Sequence, residues 1–211
     1  MKILHLFYDL MNLYGDYANV LALERALTEK GAETEIIRRS VGDNLYFSEF
    51  DFIYIGSGTE RSQKAALEYL RDYADAFKGA ADSGAVILAT GNSFEMFGRK
   101  ITDRDKKVHN GLGLFDFITE EGSERIVTDS VVEFEGHELI GFVNKSSGIY
   151  GIKEPLFTVK KGAGNSPKDA AAEGIHIGNF YGTHIIGPLL IRNPSVAEYF
   201  AELLISRDSV N

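Results

Sequence analysis

The sequence predicts an α/β fold: a doubly wound, mainly parallel sheet with helices on both faces and extra antiparallel strands in the C-terminal half. Residues 52–55 and 86–89 are short, unbroken apolar runs, which are typical of strands buried on both faces. Strand-like and helix-like segments alternate up to Gly98, an order that favours parallel strands joined by crossover helices. After Gly98 the strand-like runs follow one another directly, which indicates antiparallel or mixed pairing.

The first half of the chain supplies the predicted crossover units. Asp16 is placed to cap a helix whose apolar residues recur with helical spacing, and Gly31 ends it after Lys30. Ser62 is placed to cap a second amphipathic helix in the same way. The other predicted elements of this half are strands at residues 2–8, 33–38, 52–55 and 86–89, the second helix at 62–78 and the opening of a short helix at 93–97.

The second half is predicted to complete the sheet. Residues 99–110 carry a run of charges, which indicates a solvated loop. The predicted elements after it are strands at residues 112–119, 125–134, 139–143, 156–160 and 174–186 and a last helix at 194–206. The sequence has no linker, repeat or low-complexity tract, so we expect one domain over residues 1–211.

Composition narrows the possible functions. The 211 residues are 25% charged and 44% hydrophobic, as is usual for soluble globular proteins. A net charge of −9 argues against nucleic acid or an anionic membrane as a partner. The absence of cysteine excludes disulfides, thiolate metal sites and cysteine catalysis. His5, His109, His137 and His176 lack a metal-ligand spacing such as i, i+4, and we predict neither metal nor cofactor.

The N-terminus is predicted to be a strand and not a targeting segment. It is apolar but reaches Asp9 too early for the apolar region of a signal peptide. No apolar run approaches the roughly 20 residues that span a bilayer. We therefore expect a cytoplasmic protein without a membrane span.

The functional prediction depends on residues 84–98. The buried strand 86–89, a sharp turn at Gly91 and a helix capped by Ser93 form the kind of elbow on which several hydrolase folds mount a nucleophile. Free N–H groups at such a helix end favour an anion or oxyanion. Gly91, at the tip, carries no nucleophile.

Three segments are expected to meet at the carboxyl edge of the sheet, where α/β proteins bind ligands. They are residues 56–63, 90–93 and 181–188. Taken separately, each is explained by glycine turns and helix caps. Their combination in one chain favours a ligand site.

The chain resembles class I glutamine amidotransferases of the cobyric acid synthase type, and among them most closely the glutaminase subunits of lipid II isoglutaminyl synthases. The resemblance covers nearly the whole chain and rests on six motifs in the family's order. They are MNLYGD at 11–16 with Asn19, GSGTERSQ at 56–63, VILATGNSFEMFG at 86–98, GFVN at 141–144, GAGN at 162–165 and GTHIIGPLLIRNP at 182–194.

The resemblance implies a flavodoxin-like sheet and a glutaminase site. In that family a cysteine at the elbow attacks the glutamine amide, a histidine after the last strand deprotonates it, and ammonia passes to a synthetase partner. Backbone N–H groups of the elbow and of the glycine loop, which corresponds to residues 56–63 here, hold the oxyanion. Carried over by position, the nucleophile falls on Gly91 and the base on Ile186. The ligand and oxyanion pocket falls on Gly56, Ser57, Gly58, Gly91 and Asn92.

The chain departs from the family pattern around this site. Asn92 replaces a glycine, and its side chain is expected to intrude on the oxyanion space. Lys145 replaces a histidine and Gly148 an arginine. Lys145 is interpreted as surface, with a new charge for a changed ligand as the alternative.

Three other side chains are candidate replacements for the missing groups. Thr90 precedes the elbow tip and is expected to point back along the strand, while Ser93 is expected to cap the helix. His184 precedes Ile186 by two residues, so strand alternation places both on one face. We interpret His184 as a hydrogen-bonded structural residue.

Two hypotheses follow. The first is a non-hydrolysing binding or regulatory subunit of a Mur-ligase-like synthetase, with a small amide or carboxylate as ligand, because glycine and isoleucine cannot supply nucleophile or base. The alternative is an active amide hydrolase or amidotransferase with relocated chemistry that uses Ser93 or Thr90 with His184. A third reading, in which a partner supplies the missing groups, conflicts with a buried elbow.

Overall fold

The computed structural model describes residues 1–208, and the last three residues of the predicted domain lie outside this range. The helices are α1 (Tyr17–Glu29), α2 (Glu60–Arg71), α3 (Ala74–Asp82), α4 (Leu189–Arg192) and α5 (Pro194–Asp208), with a 3₁₀ helix at Gly91–Phe97. The strands are β1 (Lys2–Leu6), β2 (Glu35–Arg39), β3 (Phe52–Ile55), β4 (Val86–Thr90), β5 (Lys100–Thr102), β6 (Val108–Asn110), β7 (Ile118–Phe134), β8 (His137–Tyr150), β9 (Phe157–Lys161), β10 (Ala172–Glu173), β11 (Ile175–Ile177) and β12 (Phe180–Thr183).

The first sheet has the order β2-β1-β3-β4-β12-β11. Its neighbours pair in parallel from β2 through β12, and β11 adds an antiparallel edge. Alternate residues of the central strands pack on opposite faces, so β3 and β4 are buried throughout. α2 and α3 cover one face, and α1 and α5 cover the other. The predicted doubly wound sheet is confirmed.

The second sheet is built around the long hairpin of β7 and β8. β7 pairs antiparallel with β8 and β9 and parallel with β5, and short β6 and β10 complete the edges. The β7–β8 register shifts between Glu121 and Ile126. An isolated bridge joins Phe142 of β8 to Ile186, which follows β12. This contact brings the hairpin to the carboxyl edge of the first sheet.

Several predicted elements were wrong in detail. Residues 99–110 were predicted as a loop but contain β5 and β6, because Asp103 Oδ1 accepts bonds from the N–H groups of Asp105 and Lys107 and closes a hairpin turn. The predicted strand at 112–119 is mainly a loop, whose N–H groups at Leu112 and Leu114 bond to the carbonyls of Met96 and Phe97.

The predicted helix at 62–78 is two helices. Thr59, and not Ser62, caps α2: its Oγ1 accepts a bond from the Ser62 N–H at 3.1 Å. The helix is interrupted by a turn at Asp72 and Tyr73 before α3 begins. Among residues 1–208, we found no helix long and apolar enough to cross a membrane.

Candidate functional site

A cavity of about 160 Å³ lies at the carboxyl edge of the first sheet. The glycine loop and the start of α2 form one wall, and the elbow after β4 forms another. The β7–β8 hairpin and the segment after β12 complete it. The structure thus brings together the three segments expected to meet here.

Gly91 lies at the tip of the elbow. It follows β4 directly, begins the 3₁₀ helix and has φ = +66°, a backbone conformation that residues other than glycine rarely adopt. A Cβ built on Gly91 would lie 1.8 Å from Ser57 Oγ and 2.7 Å from Ser57 Cβ. The Ser57 side chain therefore fills the space into which a side chain at residue 91 would project.

Asn92 ties the elbow to the glycine loop. Its Oδ1 accepts a bond from the Gly58 N–H at 3.0 Å, and its Nδ2 donates to the Gly58 carbonyl at 3.0 Å. Gln63 Nε2 donates to the main-chain oxygen of Asn92 at 2.6 Å. The main-chain N–H and carbonyl of Gly58 are thus both hydrogen-bonded to the side-chain amide of Asn92.

Asp16 and Gly56 support the loop from behind. Asp16 stands at the predicted N-cap position of α1, but its side chain makes no capping bond; its carboxylate accepts bonds from the N–H groups of Tyr14 and Ser57, each at 3.2 Å. Burial raises the pKa of Asp16 to about 6 despite these bonds. Gly56 leaves no room for a side chain, because a Cβ there would lie 2.4 Å from the Met11 carbonyl oxygen. Gly56 packs behind the loop and does not line the cavity.

Ser93 and Thr90 point away from the cavity. Ser93 Oγ donates to the carbonyl oxygens of Ile55 at 3.0 Å and Thr90 at 2.9 Å, so Ser93 does not cap the helix. Thr90 Oγ1 lies 2.7 Å from the Tyr54 hydroxyl within the buried sheet. Neither hydroxyl contacts His184.

His184 and Glu95 form a buried pair at the floor of the cavity. His184 Nε2 donates to Glu95 Oε1 at 2.8 Å, and Lys145 Nζ donates to His184 Nδ1 at 3.4 Å. Because an ammonium group only donates, Nδ1 accepts and the proton of the neutral imidazole lies on Nε2. Burial, helped by the Lys145 charge, lowers the pKa of His184 to about 4, so the ring is neutral at pH 7.

Glu95 and Lys145 are two buried, ionisable residues beneath the cavity. Burial acts to raise the pKa of Glu95, but hydrogen bonds from His184, Ser147 and Gln63 outweigh it, and the net pKa lies below its usual value. Lys145 is only 4% exposed, and its Nζ also donates to the carbonyls of Gly164 at 2.7 Å and Asn165 at 3.1 Å. The interpretation of Lys145 as surface was wrong. Burial lowers its pKa.

Glu173 lies on the other side of the buried cluster formed by His184, Glu95 and Lys145. Its carboxylate accepts bonds from Thr183 Oγ1 at 2.5 Å and from the His184 N–H at 2.7 Å. Burial raises the pKa of Glu173 above its usual value. These bonds fix the segment after β12, so that His184 and Ile186 both face the cavity, as strand alternation predicted.

Ile186 presents a hydrocarbon to the cavity. The residue is 2% exposed, and its backbone exchanges hydrogen bonds with Phe142 at 2.9 and 3.2 Å. The segment is therefore held at the site by backbone pairing with β8.

A family model, the CobB/CobQ-like glutamine amidotransferase domain, matches residues 2–194. The chain belongs to this amidotransferase family. The family resemblance predicted from the six motifs is therefore confirmed.

Two relatives in this amidotransferase family match over most of their length. One is the GatD subunit of lipid II isoglutaminyl synthase (glutamine-hydrolyzing) from Staphylococcus aureus, 29% identical over 211 residues, 100% of this chain and 86% of that protein. The same subunit from Streptococcus pneumoniae is 27% identical over 93% of this chain and 77% of that protein. The structure of PurLQS from Thermotoga maritima has a TM-score of 0.63 at 16% identity, covering 100% of this chain and 99% of that chain, which shows a shared fold.

Sequence reasoning missed the buried partners of this amidotransferase-like site. Glu95 and Gln63 stand inside the quoted elbow and glycine-loop motifs, and Glu95 interrupts an apolar stretch. A carboxylate in such a stretch indicates a buried polar network, which was the available signal. Glu173 lies in a segment without periodicity, and no sequence signal pointed to it.

Proposed function

We propose that this chain is a non-hydrolysing member of the amidotransferase family that acts as a binding or regulatory subunit. The observation that carries the proposal is Gly91 at the tip of the elbow, with φ = +66° and no side chain where the family mounts its nucleophile. Glycine cannot form an acyl intermediate.

The absent proton acceptor supports the same proposal. Ile186 faces the cavity at the position that the family pattern gives to the base, and its side chain cannot accept a proton. In subtilisin, loss of the nucleophile or the base alone lowers turnover by about 10⁶-fold. Here neither assigned position carries a competent side chain.

The contacts of the alternative residues favour this proposal over relocated hydrolysis. The hydroxyls of Ser93 and Thr90 bond within the elbow and sheet. His184 bonds to Glu95 through Nε2 and to Lys145 through Nδ1, so neither ring nitrogen is available to a hydroxyl in the cavity. A nucleophile needs a base within hydrogen-bond reach.

The cavity and the relatives suggest what the subunit does. A polar cavity with Arg125, Asn144 and Tyr14 at its rim suits a small amide or carboxylate ligand. The relatives are subunits of lipid II isoglutaminyl synthases, so we place this chain in the cytoplasm beside a Mur-ligase-like synthetase. Co-elution of the purified chain with such a synthetase from the same organism tests this assignment; separate elution of the two proteins rejects it.

Glutamine turnover provides the direct test. Purified protein is incubated with glutamine, and glutamate release is compared with a blank that lacks protein. We expect no difference. Release above the blank that disappears in Ser93→Ala or His184→Ala would establish relocated hydrolysis instead, whereas release unaffected by both changes would reject the proposal without naming a nucleophile.

A further inference from the structure

Ser57 obstructs the elbow tip with its Cβ and Cα as well as with its hydroxyl, so rotation of the hydroxyl does not clear the space. Turning Ser57 Oγ away from Gly91 removes the 1.8 Å contact but leaves Ser57 Cβ at 2.7 Å and Cα at 3.3 Å from a Cβ on residue 91. Ser57 is 2% exposed, and Asp16 holds its N–H from behind. The backbone of the glycine loop must therefore shift before residue 91 can carry a side chain.

Asn92 obstructs the neighbouring space by a different contact. The Gly58 N–H of the glycine loop already donates to Asn92 Oδ1. The reciprocal bond from Asn92 Nδ2 to the Gly58 carbonyl holds the amide in place. A ligand carbonyl that approaches this N–H must break a pair of hydrogen bonds within a partly buried site.

The geometry points to Ser57 and Asn92 as a plug that closes the acyl-binding part of the cavity. This inference rests on the proposed function and extends it: the site is closed to an acyl group by these two side chains, in addition to lacking a nucleophile and a base. It also restricts the ligand. A bound molecule lies in the outer cavity, toward Arg125 and Asn144, and does not place a carbonyl against the Gly58 N–H.

Stepwise reversal tests the plug. One variant, Gly91→Cys with Ile186→His, supplies a thiol and an imidazole but keeps the plug. A second adds Ser57→Gly and Asn92→Gly to it. A matched control instead adds Asn44→Gly and Ser48→Gly, which change the same residue types on an exposed loop. Each is assayed for glutamate release and for covalent labelling of the introduced thiol by 6-diazo-5-oxo-L-norleucine, with circular dichroism to verify folding.

We expect labelling and release at least tenfold faster in the variant without the plug than in the plugged variant and the matched control. Equal rates and labelling in the plugged and unplugged variants would overturn the inference if either is active. If neither is active, calorimetric titration with L-glutamine decides: Ser57→Gly with Asn92→Gly in the otherwise unchanged chain must bind at least tenfold more tightly than the parent. Equal affinity rejects the plug. Turnover by the unchanged chain, measured separately, would reject the proposed function instead.

Discussion

His184 Nε2 donates to Glu95 Oε1 at 2.8 Å, and both side chains are almost completely buried beneath the cavity. The pair links the elbow helix to the segment after β12, two parts of the chain 89 residues apart. Lys145 supplies a positive charge that acts on the buried carboxylates of Glu173 and Glu95. The cluster is therefore a structural unit of the site, and its disruption has measurable consequences.

Replacing Lys145 by methionine is expected to destabilise the fold. The substitution keeps most of the length of the side chain but leaves the carbonyls of Gly164 and Asn165 without their donor and removes the positive charge that acts on Glu173 and Glu95. A buried hydrogen-bonding group that is left without its partner costs about 1–3 kcal/mol. Urea denaturation measures the change, and Lys153→Met, on the surface, serves as the control and should change stability by less than about 0.5 kcal/mol. A loss equal to that of the control would contradict the structural role of Lys145.

Because of His184, the free energy of unfolding is expected to decrease as the pH falls. Its folded pKa of about 4 lies below the ordinary 6.5, so between these values the unfolded chain binds a proton that the folded protein does not. Stability that is present above pH 6.5 is therefore lost as the pH falls toward 4, by up to about 1.4 kcal/mol per pH unit. Asp16, whose pKa is raised to about 6, changes the stability in the opposite direction. Its contribution is present in the parent and in both variants compared below.

The comparison is between the parent and His184→Gln. Urea denaturation from pH 7 to 4 should give a shallower decline for this variant, because the titrating ring is gone. His137→Gln, which changes an exposed histidine, should follow the parent. Parallel curves for all three proteins would show that His184 does not titrate as stated.

Adding a methyl group at Gly91 is expected to destabilise the fold by two separable effects. The positive φ costs an alanine about 1–2 kcal/mol, and the contact with Ser57 adds overpacking of about 1–3 kcal/mol. In a Ser57→Gly background only the first cost should remain. The double-mutant cycle, measured by denaturation, isolates the contact. Gly79→Ala, in α3 with open space around it, should be neutral or stabilising.

The destabilisations caused by the two substitutions would be additive if the side chains at residues 57 and 91 did not contact each other. If Gly91→Ala destabilises equally with serine or glycine at residue 57, then the two side chains do not compete for the same space. That result would also weaken the inferred plug.

Removing the Asn92 amide is expected to release the Gly58 N–H. In Asn92→Ala this group loses its acceptor, so hydrogen exchange measured by NMR should accelerate at least tenfold at Gly58. The Ser57 N–H, which donates to Asp16, provides an internal control and should be unchanged. Equal exchange of Gly58 in parent and variant would exclude the Asn92 bond in solution.

The sequence predicted the elements whose signals are local. The apolar runs at 52–55 and 86–89 gave β3 and β4 almost to the residue, because a strand covered on both faces has to be apolar at every position. Gly91 was placed at the turn because it closely follows the apolar run, and the positive φ it adopts is one that glycine permits. The Thr59 cap was missed because Ser62 offered an equally good local cap, and the break before α3 was missed because neither glycine nor proline marks it.

What the sequence by itself determined is the parallel sheet, the elbow with a glycine at its tip, and the family to which these motifs belong. The tertiary structure alone decided that Lys145 is buried, that Ser57 fills the space at Gly91 and that Asn92 binds Gly58. The reason is physical: hydrophobic periodicity and turn preferences act over a few residues. The contacts that shape the site join different elements, for example Asn92 with Gly58 across 34 positions and His184 with Glu95 across 89, and their geometry exists only once the strands have brought their carboxyl ends together.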